Sequence, residues 1–172
     1  MSEDSPNGTF PLSRLARPTG AEKARSLVAA SSNGVLATSA RDPAGHPYGA
    51  HVNYALVEDR PVFLLSALAV TTRNLEADPR ASLLVIEQGR PGEEVAALER
   101  VTLLGRCVRV DRAVVEGAFL ARRPAAEVYA SFIDFAYWAL EVESARYVGP
   151  FEWISLIDKH TWRHPAPDPR LG

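Results

Sequence analysis

Apolar positions first recur at helical spacing: Ala24, Leu27, Val28 and Ser31 share one face. Thr19-Gly-Ala-Glu22 precedes them as a capping box, each end satisfying the other's backbone amide, so a helix is predicted to start there. Asn33-Gly34 can take positive φ and is predicted to end it. From Gly34 the period falls to two. GVLATSAR reads as a strand, and Asp42-Pro-Ala-Gly45 reads as a turn. Pro47 to Val57 reads as a second strand, with Val52, Tyr54 and Leu56 on one face and His51, Asn53 and Ala55 on the other. Glu58-Asp-Arg60 turns the chain into a third strand, Val62 to Leu65, completing an antiparallel meander.

Arg80 to Glu87 and Arg100 to Val110 follow as strands four and five, with a loop between them. Both carry apolar residues on two sides, which implies a barrel interior on one side and a helix or second subunit on the other. Asp111 can cap a helix reaching Pro124. A second helical piece is expected through Val128, Tyr129, Phe132, Phe135 and Tyr137, rings better suited to core packing than to ligand stacking. Leu140 to Val148 and Phe151 to Ile157 read as the last strands. Prolines mark residues 1–18 as an extended arm and 161–172 as an extended tail, leaving 19–160 as one domain. The fold class is α+β, mainly antiparallel β.

The segment Pro61 to Pro79, PVFLLSALAVTTRNLEADP, holds the densest candidate chemistry. A short helix is expected after the third strand, capped by Thr71 or Thr72. A helix start carries free N–H donors and partial positive charge, which attract phosphate. Arg73 adds a guanidinium fitted to grip phosphate by two bonds, and Ser66 adds a hydroxyl.

Composition narrows the picture. The 172 residues suit one domain that buries roughly 70% of its unfolded surface. A net charge of -2 offers no electrostatic case for nucleic acid or an anionic membrane. No apolar run is long enough to span a bilayer, and the polar N-terminus does not fit a signal peptide, so a cytoplasmic protein is expected. The single cysteine, Cys107, lies in an apolar strand and is expected to be a buried, inert thiol. His46, His51, His160 and His164 form no ligand motif; the last two are four apart, but the proline-rich tail argues against a shared helical face. No metal site is expected. No nucleophile motif or phosphate loop occurs, so an enzyme here would depend on a cofactor's chemistry.

The run Ser66-Ala-Leu-Ala-Val-Thr-Thr72-Arg73-Asn74-Leu75, with Asp78-Pro79-Arg80-Ala-Ser82-Leu83, is specific. Together with Gly34-Val-Leu-Ala-Thr, Gly45-His-Pro47, Val101-Thr-Leu-Leu-Gly105-Arg106 and Ala145-Arg146-Tyr147-Val148-Gly149-Pro150-Phe151, it resembles the FMN-binding split β-barrel family related to pyridoxamine 5'-phosphate oxidase. The likeness is closest to the branch associated with haem utilisation and covers residues 20 to 157. It implies a six- to seven-stranded antiparallel split barrel with flanking helices, paired as a homodimer with FMN at the interface. It assigns Ser66, Thr71, Thr72, Arg73 and Asn74 to the phosphate and ribityl end, and His51 and Asn53 to the ring side. Arg106 would come from either subunit. Thr71 departs from the histidine usual in the haem-associated branch. Three readings follow: an FMN-dependent oxidoreductase of an unidentified small molecule, a haem-binding or haem-degrading relative, and a barrel without cofactor.

Overall fold

The computed structural model describes residues 18–89, 92–150 and 153–165. The first helix, α1 (Gly20–Ala30), starts at the expected capping box: the Glu22 amide donates to Thr19 Oγ1 at 3.2 Å, and the Thr19 amide donates to Glu22 Oε2 at 2.8 Å. It ends at Ser31 in extended backbone, so Asn33-Gly34 is not its stop; those residues already open β1 (Asn33–Ser39).

The turn after β1 reverses at Gly45, φ 78°, and leads into β2 (Pro47–Asn53). The long second strand expected from the sequence is two strands. β2 pairs with β1, whereas β3 (Ala55–Val57) pairs with β4 (Arg60–Ser66). Ala55 is therefore buried rather than outward. Helix α2 (Val70–Ala77) and β5 (Arg80–Ile86) follow, then β6 (Arg100–Arg109) and α3 (Arg112–Arg122), whose N-cap Asp111 accepts from the Ala113 amide at 2.9 Å.

The aromatic stretch is not helical. After the four-residue α4 (Glu127–Ala130) the chain turns, and Phe135 begins β7 (Phe135–Val148), the longest strand. The spacing of Val128, Tyr129, Phe132 and Phe135 suits a helix, but Tyr137, Ala139 and Leu140 pack better on a pleated surface already offered by β4. β8 (Ile154–Asp158) returns along β7; Phe151, the expected start of that strand, lies outside the described residues. α5 (Lys159–Arg163) follows and takes in the first residues of the expected tail, 161–163, as a helical turn.

All strands are antiparallel and make one curled sheet in the order β2-β1-β5-β6-β7-β4-β3, with β8 added on β7. The inner face, with α1 and α5 closing one end, buries Leu36, Phe63, Leu83, Leu103, Leu140, Tyr147 and Trp162. A second, smaller core lies where α3 covers β3, β4 and β7 through Val115, Phe119 and Tyr137. Cys107 points into the main core, and burial pushes its thiol up to about 12, which makes it an inert packing residue. The expected arm, residues 1–17, and residues 166–172 of the tail lie outside the described residues.

Candidate functional site

Two surfaces compete for the role, and both follow from the alternation on β2, β1, β5 and β6. The first is a hollow of about 330 Å³ between the edge strand β2 and the start of α2, lined by Ala50, His51, Asn53, Leu65, Val70 and Thr71 among others. The residues singled out from the sequence gather near it, but few of them face it. The N-cap of α2 is Ala69 and makes no side-chain cap bond, so neither threonine caps the helix. Thr72 is buried; its hydroxyl donates to the Ser66 carbonyl at 2.6 Å and ties the helix back to the end of β4. Asn74 is also buried. Its Nδ2 donates to Thr38 Oγ1 at 3.0 Å and its Oδ1 accepts from the Arg41 amide at 3.0 Å, joining α2 to β1. Ser66 donates to Asp134 Oδ2 at 2.8 Å and accepts from the Leu68 amide at 3.1 Å. Arg73 is exposed, and its guanidinium donates outward to the Leu68 carbonyl at 3.1 Å. Only Thr71 lines the hollow from this group.

In the single chain the residues anticipated for a flavin phosphate do not converge on this hollow. A phosphate grip needs free amides with a cation beside them. Among the described residues no lysine or arginine lines this hollow, and the Thr72 hydroxyl and the Asn74 side-chain amide already have partners.

The second surface is the outward face of β2-β1-β5-β6. Register places His51, Val35, Leu84 and Thr102 in one row across the strands, and Gly49, Ala37, Ser82 and Leu104 in the next. The side chains are small or aliphatic, and Val35 (38%), Ile86 (39%) and Leu104 (46%) remain exposed. At about 4.8 Å per strand the four strands span roughly 14 Å. A hollow of about 440 Å³ lies on this face, floored by Ala37, Ser39, Ser82 and Leu104 and walled by Arg80 and Glu143. Arg106 is exposed one strand over from Arg80, with no hydrogen bond or ion pair among the described residues. Arg80 holds Asp78 Oδ2 at 2.6 Å, and that bond brings the Asp78 carboxyl down to about 2. His51 and Asn53 are outward here, with His51 Nε2 3.1 Å from Asn33 Oδ1. The face is therefore a floor of mostly small and aliphatic side chains with two guanidinium groups at one end and an imidazole at the other. Sequence reasoning singled out His51, Asn53 and Arg106 but missed the floor residues Ala37, Ser82 and Leu104. Their pattern in β1, β5 and β6 carried that signal, as strands apolar on both sides.

A further hollow of about 680 Å³ lies elsewhere, between α1 and the β5–β6 end. It contains the Lys23–Glu99 pair at 2.7 Å and none of the anticipated residues except the neighbouring Asn33, which holds His51.

The family described as "CREG, beta-barrel" matches residues 16–164. A protein of Arabidopsis thaliana named "Non-canonical heme oxygenase HOZ, chloroplastic" is 36% identical over 139 residues, which cover 78% of this chain and 42% of that protein. The solved structure of a heme binding protein from Mycobacterium smegmatis superposes with a TM-score of 0.80 at 32% identity, covering 87% of this chain and 62% of that one. The chain thus spans less than two thirds of either relative. A FAD-binding protein from Mesorhizobium loti shares the fold alone, at 18% identity, TM-score 0.60, 75% of this chain and 92% of that one. The split-barrel resemblance read from the sequence is correct, and no helix among the described residues is long and apolar enough to cross a membrane.

Proposed function

The chain belongs to the CREG β-barrel family, and we propose that it is a haem-binding split barrel that holds the macrocycle on the outward face of β2-β1-β5-β6. The observation that carries this reading is the floor itself: built of small and aliphatic side chains, and ending at Arg106, whose guanidinium has no hydrogen bond or ion pair among the described residues. A porphyrin is a broad apolar plate with two carboxylates on one edge, so it asks for such a floor and for cations at one end. Ala37, Ser82, Leu84 and Leu104 would lie against the plate. Arg106, with Arg80 beside it, would bind the propionates by charge-assisted hydrogen bonds. His51 is the histidine on this face and the candidate iron ligand. Haem, when bound, supplies an iron centre able to take a small ligand.

Two relatives above 30% identity, the Arabidopsis and Mycobacterium proteins, carry names that refer to heme, which supports the same reading. A second copy of the chain would cover the floor and complete the site, giving Val35 and Leu104 the burial that one chain does not provide. FMN with the same dimer is the second reading. Its support is the FAD-binding protein that shares the fold, and its weakness is that Arg73, in the first turn of α2, does not line the hollow.

Arg106→Ala tests the proposed orientation. Loss of one charge-assisted bond is expected to weaken haem binding about tenfold, roughly 1.4 kcal/mol. The readout is a titration followed in the Soret region. Unchanged affinity would remove Arg106 from the site.

A further inference from the structure

We propose that His160 and His164 form a two-imidazole surface site for a borderline divalent transition metal, with copper(II) bound most tightly. The site is separate from the haem floor and does not depend on it.

Two histidines four residues apart can chelate one ion only if the backbone between them is a formed helical turn. Here it is. The His164 amide donates to the His160 carbonyl at 3.0 Å, and the two rings lie 5.2 Å apart between centroids. Both side chains are exposed, and neither ring has a hydrogen-bond partner among the described residues. Free ring nitrogens on one face, with solvent at the remaining positions, suit a metal that keeps water ligands.

The turn is short, but it is anchored from its opposite side. Trp162 is fully buried, and its Nε1 donates to the Asp59 carbonyl at 2.8 Å. Asp158 caps the turn by accepting from the Thr161 amide at 2.8 Å. Arg163 Nε is held by Asp59 Oδ2 at 3.0 Å, and Arg25 donates to the carbonyls of Trp162 and Glu58 at 3.1 and 3.0 Å. The nearby guanidinium groups are thus tied to oxygen partners, and Glu58 shares with His164 the lining of an adjoining hollow of about 510 Å³. Anchoring lowers the conformational entropy lost when both rings converge on one ion. Among divalent first-row metals, imidazole sites bind copper(II) most tightly.

The test uses the full chain without an affinity tag. Copper(II) is titrated calorimetrically, and the bound ion is examined by electron paramagnetic resonance for coupling to ring nitrogen. His160→Ala and His164→Ala should each weaken binding at least about tenfold, since loss of even an outer partner of a metal ligand costs that much. His160→Gln and His164→Gln should do the same while keeping the surface polar, and His46→Ala should bind like the parent. The proposal is overturned if the parent binds no copper, or if either single variant binds it as tightly as the parent.

Discussion

A Leu104→Glu chain is expected to fold normally and to lose haem binding by at least about a hundredfold. Leu104 is 46% exposed on the outward face of β6, so a longer polar side chain there meets solvent rather than core in the single chain. In the proposed haem site the same position would lie under the macrocycle and the covering second copy. A carboxylate buried there without a partner costs several kcal/mol, and about 2.7 kcal/mol already corresponds to a hundredfold. The same substitution should shift the chain toward monomer in sedimentation, because the floor is also the proposed contact between copies. Retained haem affinity with an unchanged mass would show that neither occupant uses this face.

Trp162→Ala should destabilise the chain by about 3–5 kcal/mol, the usual cost of emptying a buried tryptophan site. Trp162 is fully buried in the main core and carries α5 with it. Its ring stacks on the Arg25 guanidinium, 5.0 Å from ring centroid to carbon, and its Nε1 satisfies the Asp59 carbonyl. Truncation removes the packing, the cation–π contact and the hydrogen bond together. For a chain of this length the loss should lower Tm on the order of 10 °C, and denaturant unfolding gives the free energy directly. A loss below about 1 kcal/mol would mean that the tail does not close the barrel end.

That tryptophan also marks where the sequence was hard to read. Proline-rich composition around it argued for an extended tail, yet one buried indole and a capping Asp158 suffice to hold a helical turn. Likewise, Phe132 to Trp138 has helical spacing, and only the partner strand β4 shows that its second half belongs in the sheet. The Thr19–Glu22 capping box, the Asp111 cap and the alternation along β1 and β6 were legible because they rest on neighbours a few residues apart.

The site was legible in part for the same reason. His51, Asn53 and Arg106 were named, but Thr72 and Asn74, read as ligands, are structural ties whose partners, the Ser66 carbonyl, Thr38 and the Arg41 amide, come from elsewhere in the chain. Ala69 gives no local sign that it starts α2. The close approach at Gly105 is similarly invisible in the chain. A Cβ there would stand 2.0 Å from the Glu141 carbonyl oxygen, beside the irregularity that bends β6 against β7 and shapes the floor's edge.

On this reading the outward barrel face takes a porphyrin rather than a flavin nucleotide. Titrating haem into the full chain while recording the Soret band tests it most directly. A saturable shifted band is expected, one haem per chain, that excess FMN does not displace. A flat Soret response, with FMN binding tightly in the parallel titration, would contradict it.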